Sequence, residues 1–444
     1  MENVTKIVKN FTSIDKKLHF CYNIDTKYNI LKTNFKGAQY MKPIRTFIHQ
    51  NGIKLVLGAE KPIHKLTNGK LAQNRFLSSV NFSKVGTSVK ILKETDNSTY
   101  IAKYNEDGTI DNSDFKILLT TDIHLDEDYS KNDKSLDLLY RQIKDNKPDL
   151  VIFTGDCILS KFQQIDAIQF AEMMEEIGVY WAYVFGNHEA REEKEYFKYL
   201  IFKSITDYPH CLSKFGNPDL FGFGNFIINI MNSETELKQS LFFFDSGRDV
   251  VEHHALNDNV PLEYVNSYDY IKPSQIRWYE NELKSLKNIY GEVKNSLYMH
   301  IPVPEYKQAF KLDENGDYLR DENGELLRAE DKQLLRNENA KILYGRMFET
   351  VGCSKHNSCL FESMKKNNAV AVFSGHDHVN DFAMELDGIL LVYVQYGSYN
   401  AYNLGNYDGI VSLPESEWQQ GVTISTIKND GSIELKQILN NIYL

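Results

Sequence analysis

Near-continuous apolar runs that end abruptly at polar residues are the main feature of the middle of this chain. Residues 116–120, 150–153 and 179–185 form three such runs, each with the composition of a strand that is buried on both faces. Between them, apolar residues recur at helical spacing over residues 134–145 and 165–177. This alternation of strand and helix predicts an α/β core that begins near residue 115.

The pattern continues towards the C-terminus. A charged and then aromatic stretch predicts a helix over residues 189–206, and apolar spacing predicts another over residues 274–286. Further strands are predicted at residues 226–230, 240–247, 296–302, 369–378, 389–396, 421–427 and 432–438. We therefore predict a single domain over residues 113–444, with an α/β (α+β) fold and a two-sheet β core flanked by helices. The last strands are expected to form the second sheet.

Residues 1–112 have a different pattern. Short, partly alternating runs at residues 54–57, 87–93 and 99–104 are bounded by Gly, Asn, Asp and Ser, which is typical of strands joined by turns. We predict a small N-terminal β-rich, sandwich-like domain whose boundary lies in the polar segment 105–114. It has no cluster of catalytic side chains, which favours a packing or shielding role over a second active site.

One internal repeat interrupts the core: residues 313–320 are followed at once by the similar residues 321–328. The Asp-x-Asn-x-Asp start resembles a calcium-binding loop. Such a loop needs a glutamate at its twelfth position, which here is Gly324. Asn-Gly is a preferred hairpin turn, so we interpret the repeat as two turns in a solvated insertion.

Composition limits the partners and the compartment. The formal net charge of −11 disfavours a nucleic-acid groove, which usually has a basic face. No run of 18 apolar residues is present, and residues 1–6 do not begin a secretory signal. Five cysteines are few and odd in number, which fits a reducing compartment. We therefore expect a cytoplasmic protein with neither a nucleic-acid nor a membrane partner.

Side chains that bind metals follow five of the predicted strands. They are Asp122 and His124, Asp156, Asn187, His300, and His376 with His378. Ligands collect beyond the carboxyl ends of strands in open α/β sheets, so these side chains are expected to meet at one rim. Mixed carboxylate and imidazole donors suit Mn, Fe or Zn better than Ca. Two such ions sharing a carboxylate lower the pKa of a bridging water from about 15.7 towards 7 and produce a nucleophilic hydroxide.

Taken singly, most of these motifs have an ordinary structural explanation. An Asp-x-His pair such as Asp122 and His124 is frequent by chance. A Gly-Asp dipeptide such as that ending at Asp156 is equally explained by a turn with a helix cap, and a lone His300 is more often a core residue. The ordered set, with each member after a buried strand, is what favours a metal site.

Together, Asp-x-His, Gly-Asp, Gly-Asn-His-Glu, a strand-end His and Gly-His-x-His resemble the calcineurin-like metallophosphoesterase superfamily over about residues 115–430. The resemblance implies two metals. One would be held by Asp122, His124, Asp156 and His378, and the other by Asp156 as the bridge with Asn187, His300 and His376. It also implies that His188 contacts the phosphate and protonates the leaving group, and that Glu189 orients His188.

Longer stretches at residues 270–279, 300–306 and 375–382 are similar to the purple-acid-phosphatase-like branch of plants and fungi. Purple enzymes carry a tyrosinate ligand three residues after the bridging Asp, where this chain has Leu159, and here His124 is present instead. The resemblance therefore implies a divalent metal pair.

Two classes of function stay open. The first is a phosphoesterase that hydrolyses a mono- or diester, of a small molecule or a phosphoprotein, through a metal-bridging hydroxide. The second is a non-catalytic scaffold stabilised by metal. Within the first class, a nuclease or cyclic-nucleotide phosphodiesterase is the alternative, although no Lys/Arg cluster lies near the motifs. A tyrosine-rich loop over residues 396–407 either lines the pocket or packs in the core.

The absence of tyrosine at position 159 leads to a spectroscopic prediction. We expect the purified protein to show no visible tyrosinate-to-iron charge-transfer band, even when it is loaded with iron, because imidazole replaces the phenolate. An absorption spectrum of the iron-loaded protein checks this. A visible band that persists in His124→Ala would contradict it.

Overall fold

The computed structural model describes residues 80–189, 195–405 and 407–440. The chain divides between Leu71 and Ala72 into two units, and every described residue belongs to the second. The strands are β1 (Val89–Glu94), β2 (Ser98–Lys103), β3 (Phe115–Thr120), β4 (Leu150–Phe153), β5 (Trp181–Tyr183), β6 (Phe226–Met231), β7 (Leu237–Phe243), β8 (Asn295–Tyr298), β9 (Lys341–Tyr344), β10 (Ala369–Ser374), β11 (Ala383–Leu386), β12 (Ile389–Tyr393), β13 (Gly421–Ile427) and β14 (Ile433–Leu439). The α-helices are α1 (Tyr129–Asn146), α2 (Gln163–Ile177), α3 (Glu195–Thr206), α4 (Glu252–Asp258), α5 (Pro273–Tyr290) and α6 (Leu360–Lys366).

Two sheets form the centre of the fold. One has nine strands in the order β1-β2-β6-β7-β8-β10-β12-β11-β9, and the other has five in the order β14-β13-β3-β4-β5. Ile117 and Leu119 of β3 pack between the sheets against residues such as Tyr298 and Phe373, whereas Leu118 faces the opposite side. Helices α1, α2 and α3 cover the outer face of the small sheet, and α5 and α6 cover that of the large one. The predicted two-sheet core flanked by helices is confirmed.

Parallel pairing gathers the loops that carry the metal-binding motifs. Strands β3, β4 and β5 are parallel neighbours in the small sheet, and β8 and β10 are parallel neighbours in the large one. The two sheets meet at this rim, where the N–H of His376 donates to Asp122 Oδ2 at 2.8 Å and Thr121 bridges to Tyr396. The carboxyl ends of both parallel sets therefore lie together.

Two expectations about the ends of the chain need correction. Strands β1 and β2 were assigned to a separate domain ending near residue 112, but β2 pairs with β6 and both belong to the large sheet. The rest of that prediction, residues 1–79, lies outside the described residues. The last strands do not form a sheet of their own either: β12 joins the large sheet, and β13 and β14 join the small one.

The insertion between β8 and α6 is more regular than the two turns that the sequence predicted. Bridges recur every eight residues, at Leu312–Tyr318, Arg320–Leu326 and Arg328–Leu334. The carboxylate of Asp313 accepts the N–H groups of Asn315 at 2.8 Å and Asp317 at 2.9 Å, which is the geometry of a tight turn. The sixth residue of each eight, namely Tyr318, Leu326, Leu334 and Ile342, packs on the core beneath α5 and α6.

No helix in the described part of the chain has the length and the apolar character that crossing a membrane requires.

The eight-residue register leads to a stability prediction. Leu334 is 3% exposed in the core, whereas Leu327, one position out of phase, is 37% exposed. We expect Leu334→Ala to lower the free energy of unfolding by about 2–5 kcal/mol through the lost apolar burial and the cavity. Leu327→Ala should change it by less than about 1 kcal/mol. Urea unfolding of both variants measures the difference, and equal losses would contradict this register.

Candidate metal centre

The predicted ligands come together in two buried groups. One contains Asp122, His124 and His378, the other Asp156, His300 and His376, and within each group the potential ligand atoms all lie within 4.8 Å of one another. The six residues come from the ends of β3, β4, β8 and β10. Residues up to 256 positions apart in sequence are thus brought into contact, as the strand-end pattern predicted.

In the first group, two imidazoles converge on one carboxylate oxygen. Asp122 Oδ1 lies 3.4 Å from His124 Nε2 and 3.2 Å from His378 Nε2. Its other oxygen accepts the hydroxyl of Thr121 at 2.8 Å, in addition to the N–H of His376. One oxygen of Asp122 therefore accepts hydrogen bonds that fix the loops, and the other faces the two histidines.

In the second group, acceptor atoms face one another. His300 Nδ1 lies 2.8 Å from the carbonyl oxygen of Thr154 and donates to it in the neutral ring, so Nε2 carries a lone pair. This nitrogen lies 3.0 Å from Asn187 Oδ1 and 3.2 Å from Asp156 Oδ2, with His376 Nδ1 at 3.3 Å. A proton on His300 Nε2, or a metal ion in its place, would satisfy the acceptors around it.

Asp156 lies between the two groups. Its Oδ2 is 3.2 Å from His300 Nε2 of the second group and 3.9 Å from His124 Nε2 of the first. Its Oδ1 accepts the N–H of His188 at 2.7 Å, which fixes the carboxylate. This is the position that a bridging ligand has to occupy.

The donor set fits two divalent ions. Ligands at about 2.0–2.2 Å from a metal, and about 90–110° apart, are separated by roughly 3.0–3.5 Å, which is the spacing of the closest donor pairs. Burial lowers the pKa of His300, but the Asp156 and Asp122 carboxylates outweigh it and raise that pKa to about 10. Burial lowers the pKa of His376, and the positive charge of the nearby His300 lowers it further, to about 3. A cation in place of the His300 proton would neutralise the same carboxylates.

The backbone is strained where ligands are presented. Asp122, His124 and Asp156 have φ of 50° and His376 has φ of 82°, in the left-handed region that non-glycine residues rarely adopt. Strain of this kind persists only where the surrounding structure enforces it, and it clusters at functional sites.

Close approach explains the glycines of two motifs. A Cβ on Gly186 would lie 2.0 Å from Asp156 Oδ1, and a Cβ on Gly375 would lie 2.0 Å from Thr121 Oγ1. Any side chain at these positions would displace the carboxylate of Asp156 or the hydroxyl that fixes Asp122. The glycines therefore allow the loops to pack around the ligands.

His188 lies beside the ligands but is more exposed. Its side chain is 34% exposed, compared with 9% or less for the six residues of the two groups, and its Nε2 is 3.8 Å from Asp156 Oδ2. Its ring lies 5.2 Å from that of His124. The turn at Asn187 thus places one side chain among the donors and the next at the edge of the centre.

The expected role of Glu189 needs correction. Its carboxylate is buried and accepts four hydrogen bonds, from Asp156 N, Ile158 N, Gly186 N and the Tyr183 hydroxyl, at 3.0, 3.1, 2.8 and 2.5 Å. Burial and the nearby charge of Asp156 raise its pKa to about 7. Glu189 therefore fixes the loops that carry Asp156 and Asn187, and it is a positioning residue instead of an orienting partner for the His188 ring.

Several residues that support the centre were not found from the sequence. The Asp377 carboxylate accepts the Gly352 N–H at 3.1 Å, the Asn380 amide at 3.1 Å and the Tyr393 hydroxyl at 2.5 Å. Tyr268 packs edge-on against His376 from a distant segment. Asp377 stood inside a recognised motif, but Tyr268 lies in none and carried no sequence signal.

Comparison of the sequence with models of known protein families gives a result that agrees with this fold and this centre. The sequence model for "calcineurin-like phosphoesterase" matches residues 115–380, and the chain belongs to that family.

Individual relatives carry phosphatase names. The chain is 26% identical over 353 residues to "Probable inactive purple acid phosphatase 14" of Arabidopsis thaliana, covering 72% of this chain and 78% of the relative. It is 28% identical to "Phosphatase DCR2" of Saccharomyces cerevisiae, over 62% of this chain and 46% of that one. A solved dimetal phosphatase from Danio rerio aligns with a TM-score of 0.41 and 14% identity, over 73% of this chain and 98% of its own.

The hydrogen bonds of Glu189 lead to a prediction. Glu189→Gln replaces one acceptor oxygen with an NH₂ group that faces backbone N–H donors, which should cost about 1–3 kcal/mol of stability. We also expect weaker metal retention, because the Asp156 loop is no longer fixed. Thermal unfolding and metal analysis after dialysis measure both effects.

Glu175→Gln is the matched control. Glu175 accepts the His210 N–H at 2.7 Å and pairs with its ring at 2.8 Å, away from the ligand loops. This variant should retain metal like the wild type. If Glu189→Gln also retains metal and stability, Glu189 does not position the centre.

Proposed function

We propose that this protein is a metal-dependent phosphoesterase that hydrolyses a phosphate mono- or diester at the centre described above. The observation that carries the proposal is the convergence of imidazole nitrogens and an amide oxygen from three other segments around the buried carboxylate of Asp156. Two divalent ions bound there would activate a water at neutral pH and polarise the phosphoryl oxygens.

The residues divide into two roles. Asp122, His124 and His378 would hold one ion, and Asn187, His300 and His376 the other, with Asp156 shared between them. The imidazole-rich donor set favours Mn, Fe or Zn.

His188 is proposed as the proton donor. Its main chain is fixed by Asp156 while its ring is partly exposed next to the ligands. From that position Nε2 can contact a phosphoryl oxygen and deliver a proton to the departing alkoxide. Water then supplies the hydroxyl that ends on phosphorus, and the P–O bond to the alcohol breaks.

Two alternatives remain to be compared with this proposal. Some relatives are named as inactive, which raises a metal-stabilised scaffold as the second function. The partly exposed His188 favours an enzyme, because a structural site needs no polar group at its open edge. A nuclease or cyclic-nucleotide phosphodiesterase would act at the same centre, but the net charge of −11 disfavours a nucleic-acid substrate.

The test of this function is a substrate panel with metal analysis. The protein is loaded with Mn²⁺, Zn²⁺ or Fe²⁺ and assayed on phosphomonoesters, a phosphopeptide, phosphodiesters and nucleotides. We expect phosphate release that Asp156→Asn abolishes together with at least one ion per chain. Two bound ions with no turnover on any ester would favour the scaffold.

The role of His188 leads to a prediction about leaving groups. His188→Ala should keep both ions and lower kcat/KM by about 10²–10⁴-fold for alkyl esters, since proton donation is typically worth that much. The loss should be much smaller for nitrophenyl phosphate, whose leaving group needs no proton. Steady-state kinetics on both esters, with metal content measured in parallel, checks this.

Equal losses on both esters would exclude the acid role and leave phosphate binding only. Loss of an ion in His188→Ala would instead make His188 a ligand.

A further inference from the structure

The chain that follows β12 returns to the first ligand group, which consists of Asp122, His124 and His378. The N–H of Gly397 donates to the Thr121 carbonyl at 3.0 Å, at the start of the turn that presents the first two of these ligands. Further along the same loop, the Tyr402 ring stacks on that of His378 with centroids 4.2 Å apart. The 397–402 loop therefore contacts the segments that carry this group at two points.

Asn400 of the 397–402 loop binds the main chain of a proposed ligand. Its side-chain amide donates to the carbonyl oxygen of His124 at 2.9 Å, although the two residues are 276 positions apart in sequence. His124 has φ of 50°, a conformation that a residue with a side chain rarely adopts. A hydrogen bond to the carbonyl of the same residue restricts its main chain further, so it helps to hold the imidazole at the centre.

Asn132 orients the Asn400 amide. Asn132 is buried in α1, and its side chain accepts the N–H of Asp126 at 3.2 Å and donates to the Asp126 carbonyl at 3.0 Å. This reciprocal pair directs the Asn132 oxygen at Asn400, whose amide nitrogen donates to it at 2.7 Å. Because both neighbours of that nitrogen are acceptors, the amide of Asn400 presents its NH₂ group to the His124 loop.

The main chain of the 397–402 loop is held by other groups. Ser398 Oγ accepts the N–H groups of Asn400 at 2.8 Å and Ala401 at 3.1 Å. The hydroxyl of Ser135 in α1 accepts the N–H of Tyr399 at 3.0 Å. None of these bonds uses the Asn400 side chain, so a substitution there should leave the loop in place.

The second ligand group, which contains His300, has a different support. His300 Nδ1 lies 2.8 Å from the Thr154 carbonyl, a main-chain group directly after β4. A substitution of Asn400 leaves this contact unchanged. The two ion positions should therefore respond differently to the loss of the Asn400 amide.

We propose that Asn400, oriented by Asn132, is a positioning residue that sets the affinity of the first ligand group for its ion. The inference rests on the two-ion centre of the proposed function, but it does not require turnover. Hydrogen bonds that orient metal ligands typically change metal affinity by about 10–100-fold when they are removed. The tyrosine-rich loop thereby acts on the metal centre in addition to packing against the core.

Titration of Asn400→Ala with Co²⁺ tests this role. We expect the wild-type protein to bind two ions per chain, and the variant to bind one with unchanged affinity and the other about 10–100-fold more weakly. His378→Ala and His300→Ala each remove a ligand from one group, and they identify the position that is affected. The visible spectrum of the ion that Asn400→Ala retains should match that of His378→Ala.

Asn403→Ala is the matched control. Asn403 belongs to the same connection, and its side chain donates to the Ala401 carbonyl at 3.3 Å and accepts the N–H of Gly405 at 2.8 Å. This variant should bind two Co²⁺ ions with wild-type affinity. Thermal unfolding of the metal-free proteins should show similar stability for both variants, so that a difference in ion affinity reports on the His124 carbonyl.

Two Co²⁺ ions bound by Asn400→Ala with wild-type affinity would overturn the inference. Equal weakening of both ions, or a large loss of stability in the metal-free Asn400→Ala protein, would make Asn400 a structural residue and would also overturn it. Asn132→Ala is a second variant, which removes the acceptor that orients Asn400 without altering the loop. It should weaken the same ion several-fold, and unchanged affinity there would contradict the proposal.

Assays of the same proteins on phosphate esters separate this inference from the proposed function. Selective weakening of one ion in a protein that hydrolyses no ester would support the role of Asn400 and contradict the phosphoesterase. Ester hydrolysis with unchanged ion affinities in the Asn400 and Asn132 variants would overturn the role of Asn400 and leave the phosphoesterase intact. A wild-type protein that binds fewer than two ions would overturn both.

Discussion

The buried carboxylates Asp122 and Asp156 are the constraint on which the rest of the structure depends. A carboxylate removed from water is strongly destabilising unless donors or a cation compensate it. Each of these side chains uses one oxygen to accept main-chain N–H groups and leaves the other facing imidazole nitrogens. The bond from His376 to Asp122 also connects the two sheets, so the same groups stabilise the fold and present the donors.

Glu189 provides the hydrogen-bond acceptor that the buried N–H groups at the same rim require. The loops after β4 and β5 leave their strands with N–H groups directed into buried space, and one carboxylate accepts three of them. Those bonds hold Asp156 in its strained backbone conformation and bring Gly186 against its side chain. These hydrogen bonds fix the backbone around the candidate ligands, as a pre-organised site requires.

The residues at the edge of the centre differ from the candidate ligands in their exposure to solvent. His188, Tyr268 and Tyr402 are partly exposed around ligands that are almost fully buried. A partly exposed histidine beside the donor atoms is consistent with the proposed ester hydrolysis.

The sequence by itself determined the core strands and the candidate ligands, because a strand buried on both faces leaves a near-continuous apolar run, and parallel strands place the residues after those runs at one rim. It could not assign β1, β2 and the last strands to sheets, because strand pairing depends on partners more than a hundred residues away. For the same reason the contact of Tyr268 with His376 left no trace in the pattern. The role of Glu189 was misjudged because adjacency to His188 in sequence does not fix where a carboxylate points. Only the tertiary structure decided where the Glu189 carboxylate points, because it places N–H groups from two loops within hydrogen-bonding distance of that carboxylate.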